Sequence, residues 1–141
     1  MKAFLEKYSD HLYSILRIVA GLLLTCHGAQ KLFGVLGGQV EIHDPEGLIA
    51  GIVEFGGGIL VGLGLLTRVS AFLCSGLMAV AYFKAHAMRG WFPIVNGGEL
   101  AVIYSFVFLY ILFRGPGPWS INALLRRGTS ATTSPKSPMG A

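Results

Sequence analysis

Four long apolar segments, separated by short stretches rich in glycine, proline and charge, account for most of this 141-residue chain. A helix needs about 20 apolar residues to cross the hydrocarbon core of a bilayer. The backbone in lipid must also satisfy its own hydrogen bonds, which favours helices over open sheets. The pattern predicts an all-α membrane protein, a four-transmembrane-helix antiparallel bundle with short loops. Its predicted spans are residues 12–33, 47–66, 69–87 and 99–113.

The composition separates this chain from soluble domains and from nucleic-acid-binding proteins. Hydrophobic residues make up 53% of it and charged residues 13%, about half the charged share of an average soluble domain. The formal net charge of +4 is concentrated toward the C-terminus, which indicates membrane topology. Cys26 and Cys74 both lie inside apolar runs, which favours buried packing over redox chemistry. We therefore expect one membrane domain over residues 1–127 and no nucleic-acid partner.

The C-terminal part of the chain has a different character. Gly115-Pro-Gly-Pro118 ends the fourth span because proline lacks a backbone donor. Residues 118–127 contain Trp119, Arg126 and Arg127, a composition typical of an interfacial helix that faces anionic lipid. Residues 128–141 are rich in Ser, Thr and Pro, so we expect a disordered tail there.

The distribution of basic residues predicts the orientation of the four spans, because lysine and arginine are retained on the cytoplasmic side. With a cytoplasmic N-terminus, eight basic residues fall on the cytoplasmic side and only Lys31, Lys84 and Arg89 fall outside. The eight are Lys2, Lys7, Arg17, Arg68, Arg114, Arg126, Arg127 and Lys136. We therefore expect a multi-pass protein with both termini cytoplasmic.

Several ionisable residues lie inside or beside the predicted spans. A charge at the centre of a membrane helix costs about 2.5–3.5 kcal/mol, so such residues usually pair with one another or line a site. Because neighbouring spans run in opposite directions, all of these residues fall in the outer half of the bundle. They are His27, Lys31, Glu54, Lys84, His86 and Glu99.

Helical spacing selects the centre of this predicted cluster. His27 and Lys31 are four residues apart and share a helix face, with Gln30 close by. Glu54 lies on a stripe of glycines that includes Gly58. Glycines in such a stripe either let a neighbouring backbone approach closely or leave room for a flat ligand. Both interpretations remain open from the sequence.

The carboxylates of the cluster, Glu54 and Glu99, each have two interpretations. Glu54 either binds a ligand or exchanges a proton with it, or it is a structural partner of Lys31 or Lys84. Glu99 either contributes to the site or simply caps the fourth helix, where negative charge is favoured. Lys84 and His86 are two residues apart, so they cannot both point the same way from a regular helix.

A metal or haem site is the competing interpretation of the histidines. His27 and His86, with two carboxylates, could hold a transition metal or ligate a haem. No Glu-x-x-His pair occurs, and the nearby lysines would repel a cation, so we expect no metal. Histidine suits proton exchange near neutral pH, which makes His27 either a proton-exchanging group or a packing residue.

Several ordered motifs resemble the DoxX family of small bacterial membrane proteins, and the likeness covers about residues 15–125. The motifs are His27-Gly-Ala-Gln-Lys-Leu-Phe-Gly34, Glu54 with Gly56-Gly-Gly58, Leu63-Gly-Leu-Leu-Thr-Arg68, Asn96-Gly-Gly-Glu99 and Phe113-Arg-Gly-Pro-Gly-Pro-Trp-Ser120. The resemblance implies a four-helix bundle in the bacterial cytoplasmic (inner) membrane. The family is named for its likeness to small subunits of an archaeal thiosulfate:quinone oxidoreductase, and some relatives are linked to quinone or catechol stress and oxidant defence.

The resemblance and the charged cluster together lead to two hypotheses. In the first, the protein is a redox-associated subunit that binds a quinone or a related lipid-soluble aromatic, and a partner protein supplies the electrons. His27 and Glu54 would then be catalytic, and the ligand-binding residues would be Gln30, Lys31, Gly58, Lys84 and Glu99. In the second, the protein is a non-enzymatic membrane scaffold or lipid-binding module whose buried charges are structural. Contact with membrane lipid and assembly into a homo-oligomer fit both hypotheses.

Overall fold

The computed structural model describes residues 1–132, and every regular element in that part of the chain is helical, with no strand. The elements are α1 (Lys2–Phe33), α2 (Pro45–Leu63), α3 (Thr67–Ala81), a π-helical turn (Tyr82–His86), a 3-10 turn (Ala87–Arg89), the short α4 (Pro93–Asn96), α5 (Glu99–Arg114) and α6 (Ile121–Thr132). This confirms the helical class predicted from the apolar segments.

Three helical stretches in the described residues are long and apolar enough to cross a membrane. They are Phe4–Phe33, Pro45–Leu63 and Thr67–Arg89, the last of which joins α3 to the two turns that follow it. Helix α5 is apolar but has 16 residues, and at about 1.5 Å per residue it extends roughly 24 Å. That length is less than the roughly 30 Å of a typical hydrocarbon core, so α5 is too short to count as a membrane-spanning helix by length.

Glycines in the left-handed conformation end the first two helices. Gly34 has φ 65° and donates its backbone N–H to the carbonyl of Gln30, so α1 ends at Phe33 as predicted. Gly64 has φ 71° and ends α2 at Leu63, three residues before the predicted end. At the other end of α2, the Asp44 side chain accepts a hydrogen bond from the Gly47 backbone N–H. Glycine therefore decides these boundaries more closely than hydropathy does.

The glycine stripe of α2 lies against α1. A Cβ atom on Gly58 would lie 2.5 Å from Thr25 Oγ1, and one on Gly21 would lie 2.6 Å from the Gly58 carbonyl oxygen. Backbones can approach this closely only where side chains are absent. At Gly58 the stripe therefore serves close packing against α1, and an apolar opening of about 270 Å³ remains beside Gly58 and Gly62.

The buried core joins all four long helices and includes Leu24, Val61, Cys74, Phe108 and Ile111. Cys74 packs as an apolar residue there, in agreement with the interpretation from the sequence. Many large apolar side chains are instead exposed on the outward faces of the helices, which is the surface that hydrocarbon favours.

Arg17 is fully buried inside the protein, at the level where α2 ends. Its guanidinium donates hydrogen bonds to the carbonyls of Val61 and Gly62 at the end of α2 and to the carbonyl of Trp119. These bonds hold the segment after α5 against α1 and α2. The arginine therefore acts as a helix cap inside the protein.

The segment after α5 leads into α6, which begins at Ile121 and continues to Thr132. The predicted interfacial segment, residues 118–127, overlaps this helix. The first five residues of the predicted disordered tail, 128–132, are helical. Residues 133–141 of that tail lie outside the described residues.

Candidate functional site

A cavity of about 220 Å³, here called the polar cavity, lies where α1, α2, α3 and α5 meet. Its walls combine apolar side chains with several ionisable or polar ones. The lining residues are Leu24, His27, Lys31, Glu54, Met78, Ala81, His86, Gly97, Leu100, Ala101 and Tyr104. Residues far apart in sequence thus line one partly open cavity.

Glu54 is the most buried charged residue of this cavity, with only 3% of its surface exposed. Its Oε1 atom accepts a hydrogen bond from Lys31 Nζ at 2.7 Å, so an ion pair connects α2 to α1. Its Oε2 atom is buried and has no hydrogen-bond partner in the described part of the chain. A buried acceptor without a partner is costly, typically about 1–3 kcal/mol. The pair therefore leaves one buried acceptor without a hydrogen-bond donor, on a residue that lines the cavity.

His27 lies one helical turn before Lys31 on α1 and is half-buried. Its ring makes an edge contact with the ring of Tyr104, with 6.2 Å between the centroids. Tyr104, on α5, is itself buried and places a phenol in the cavity wall. Sequence reasoning missed Tyr104, because one tyrosine in an aromatic helix carries no signal that distinguishes it from the core.

His86 and Lys84 point to different places, as expected from their spacing of two residues, and both lie in the π-helical turn. His86 lines the polar cavity, and its Nδ1 atom lies 3.3 Å from the carbonyl oxygen of Asn96. Lys84 lies outside the cavity and pairs with Glu46 at 2.5 Å. This pair is open to solvent, with side chains 58% and 70% exposed. Such π-helical turns are rare and occur frequently at functional sites.

Three other predicted site residues also lie away from the cavity lining. Gln30 donates from Nε2 to the carbonyl of Leu36 at 3.0 Å, so it holds the loop that follows α1. Gly58 lies in the contact between α1 and α2. Glu99 is the first residue of α5 and is exposed, a position that suits a helix cap. Of the predicted set, His27, Lys31 and Glu54 are the residues that the fold brings together.

Asn96 positions the loop that closes one side of the cavity. Its side chain is buried, donates to the Gly90 carbonyl at 2.6 Å and accepts from the Gly98 backbone N–H at 2.7 Å. Its own carbonyl oxygen faces His86. The Asn96-Gly-Gly-Glu99 motif was visible in the sequence, so this residue could have been found from its place in that motif.

A second opening, here called the acidic cleft, lies beside the polar cavity and has a volume of about 430 Å³. Three carboxylates line it, Glu41, Asp44 and Glu46, together with Lys84. Lys31 lines both the cleft and the polar cavity. Lys31 thus lies between the buried Glu54 of the polar cavity and the carboxylates of the acidic cleft. Among residues 1–132, no group of three or more His, Cys, Asp or Glu side chains could hold a metal ion.

Comparison with known proteins identifies the family. The DoxX family model matches residues 12–87. An uncharacterized protein of Haemophilus influenzae is 44% identical over 84% of this chain and 93% of its own length. The inner membrane protein YqjF of Escherichia coli is 29% identical over 87% of this chain and 98% of its own length. The uncharacterized membrane protein Rv3486 of Mycobacterium tuberculosis is 33% identical over 82% of this chain and 82% of its own length. No solved structure matches this chain. The chain is a membrane protein that belongs to the DoxX family.

Proposed function

We propose that this DoxX protein crosses the bacterial inner membrane four times, through α1, α2, α3 and α5, with both termini in the cytoplasm. Helix α5 packs along α3 and has exposed apolar side chains such as Ile103 and Phe106, which suits contact with lipid. A bilayer can thin locally around a span shorter than its hydrocarbon core. If the buried Arg17 is left out of the count, seven basic residues lie on the cytoplasmic side and three on the outer side, which still favours this orientation.

Within this bundle, the polar cavity binds a single aromatic ring that carries hydroxyl or carbonyl oxygens, such as a quinol and its quinone. The observation that carries the proposal is the buried Oε2 atom of Glu54, an acceptor without a partner in the described residues. A carboxylate oxygen accepts hydrogen bonds, so the matching ligand atom is a donor such as a quinol hydroxyl. His27 and His86 lie in the same cavity and can supply donors to a second ligand oxygen.

The size of the polar cavity supports a ligand with one ring. An apolar protein cavity of about 150 Å³ accommodates benzene. The polar cavity, at about 220 Å³, has room for such a ring with oxygen substituents. A long isoprenoid tail does not fit in the remaining space, so it would have to leave the cavity toward the lipid.

The side chains of the polar cavity suit proton transfer to and from this ligand. Oxidation of a quinol to a quinone releases two protons and two electrons, and reduction takes up the same number. Glu54 can accept or return one proton, because a carboxylate within hydrogen-bond reach of a hydroxyl can act as a general base. Lys31 keeps the negative charge of Glu54 balanced in the buried site. A redox partner protein exchanges the electrons, since side chains of this kind move protons and not electron pairs.

A binding experiment with a matched pair of variants tests this proposal. We expect Glu54→Gln to weaken the binding of a short-chain ubiquinol analogue to the purified protein about tenfold or more, because a charged acceptor is lost. Glu46→Gln makes the same chemical change in the exposed pair with Lys84 and should leave binding unchanged. Isothermal titration under anaerobic conditions measures both affinities. Equal affinities of the two variants and the parent protein would refute the proposed site.

A structural role is the second candidate function, and the position of the Lys31–Glu54 pair favours it. The pair joins α1 to α2, the two helices with the most extensive mutual packing. A membrane scaffold held by this pair would lose stability in Glu54→Gln without any ligand-specific effect. Melting temperatures of parent and variant, each with and without the quinol analogue, distinguish the two functions. If the quinol analogue does not raise the melting temperature of the parent protein, only the structural role is left.

A further inference from the structure

A cleft of about 420 Å³, here called the arginine cleft, lies where α3 begins and α5 ends. Three arginines line it, Arg68, Arg114 and Arg126, together with Asn122 and the backbone near Gly117. The described residues that line it include no carboxylate. This cleft shares no residue with the polar cavity or the acidic cleft.

Arg68 has a fixed position and a charge that is not balanced by an ion pair in the described chain. Its Nη1 atom donates to the carbonyls of Leu112 and Phe113 at 2.7 and 3.2 Å, so the guanidinium is held at the end of α5 by neutral acceptors. Gly115, with φ 85°, leaves room beside Nη2, because a Cβ atom there would lie 3.1 Å from it. The guanidinium is therefore held in place without losing its positive charge.

Arg114 has one acidic partner, Asp10, and that ion pair is largely exposed to solvent. An exposed pair of this kind contributes little to stability, so the Arg114 guanidinium can exchange partners at low cost. Planar guanidinium groups bind phosphate in a bidentate manner, which makes a group of arginines a strong phosphate site.

The surroundings of the arginine cleft favour a lipid phosphate over a soluble one. Phe113, next to Arg114 in sequence, is 73% exposed. Arg68 is the second residue of a candidate membrane-spanning stretch, so the cleft lies at a membrane boundary. Exposed apolar side chains beside basic ones suit a molecule that has both acyl chains and a phosphate.

We propose that the arginine cleft binds the headgroup phosphate of an anionic phospholipid, with the acyl chains lying on the apolar side chains next to it. This site is independent of the proposed quinol site at the other end of the bundle. Anionic lipids are attracted to basic clusters beside membrane helices, with about 1 kcal/mol for each basic residue near the surface.

The test compares two adjacent arginines of α6 in the full-length, delipidated protein. Arg126 lines the cleft, whereas Arg127 does not and is exposed, so Arg127→Gln is a control with the same loss of charge. We expect Arg126→Gln to weaken the binding of phosphatidylglycerol, titrated in detergent micelles and followed by native mass spectrometry, about fivefold. Arg127→Gln should change it less than about twofold. Equal losses in the two variants would show surface attraction only and overturn the proposal.

A gain of binding provides a second test that unfolding cannot imitate. Asp10→Asn removes the carboxylate that competes for Arg114, so phosphatidylglycerol should bind about fivefold more tightly. Unchanged or weaker binding by this variant would contradict the role of Arg114. Phosphatidylcholine should bind poorly, and inorganic phosphate at equal concentration should not displace phosphatidylglycerol. If inorganic phosphate displaces the lipid, the site takes soluble anions and the lipid proposal is wrong.

Discussion

The two ends of this bundle hold positively charged side chains in different ways. At the polar cavity, Lys31 is paired with a carboxylate, Glu54, and the pair leaves one acceptor atom without a partner. At the other end, Arg17 and Arg68 donate to backbone carbonyls at the ends of α2 and α5. Positive charge is favoured at a helix C-terminus because the last carbonyls are unpaired and carry partial negative charge. At the polar cavity the charge is neutralised by a carboxylate, whereas at the other end Arg17 and Arg68 hold helix ends through neutral acceptors and keep their charge without a carboxylate partner among the described ion pairs.

The largest expected effect comes from Arg17. Arg17→Met leaves the carbonyls of Val61, Gly62 and Trp119 without their donor inside the protein. We expect the free energy of unfolding to fall by about 3 kcal/mol, because each buried unsatisfied group costs about 1–3 kcal/mol. Thermal unfolding in detergent measures the change. Arg127→Met, at an exposed position, is the control and should change stability by less than about 0.5 kcal/mol.

The stability effect of the Lys31–Glu54 pair should differ from that of Arg17, because the acceptor in this pair is a side chain that a second substitution can remove. We expect Lys31→Met to lower the free energy of unfolding by about 2 kcal/mol, since it leaves Glu54 buried without a counter-charge. The double variant Lys31→Met, Glu54→Leu should recover most of this loss, because apolar residues often replace a buried pair without cost. A double-mutant cycle measures the coupling. If the stability losses of the two single variants simply add in the double variant, the expected coupling is absent and the prediction is wrong. No such rescue is possible for Arg17, because its acceptors are backbone carbonyls.

The contact between α1 and α2 connects the two ends, and Gly58 tests how tightly it is packed. Gly58→Ala should lower stability by about 1.5 kcal/mol, because the new Cβ meets Thr25 Oγ1 and the Gly21 carbonyl. Gly56→Ala is the matched control, two residues away in the same helix, with nothing within 4 Å of its Cβ. Its stability should be unchanged or raised by up to about 1 kcal/mol. If Gly58→Ala is unchanged or stabilised like Gly56→Ala, the contact at Gly58 is not tightly packed and the prediction is wrong.

The smallest expected effect is that of the exposed pair between Lys84 and Glu46. Lys84→Met should lower stability by about 0.5 kcal/mol or less, because solvent and salt screen exposed ion pairs. Melting temperatures at low and high ionic strength check this. A loss as large as that of Lys31→Met would show that the acidic cleft is less open to solvent than the exposed fractions indicate.

Particular residues show how far sequence reasoning reached. The apolar segments predicted the helices, and alternation of span direction with helical spacing predicted that His27, Lys31 and Glu54 would lie close together. These predictions depend on local periodicity, which the sequence contains in full. The π-helical turn is different, because it depends on how the end of α3 meets the loop held by Asn96. For that reason the sequence left open which of Lys84 and His86 faces the cavity.

The sequence by itself determined the helical class, the glycine stop of α1, the membrane character and the family motifs, because all of these depend on neighbouring residues. The tertiary structure decided that α1 packs closely against Gly58, that Arg17 caps α2 and that Gln30 holds a loop. It also decided that Glu54 keeps one oxygen without a partner in the described residues and that His86 and Tyr104 line the same cavity as Glu54. These outcomes depend on which helix faces which, and at what depth. Contacts between residues far apart in sequence are settled by packing and by the pairing of buried polar groups.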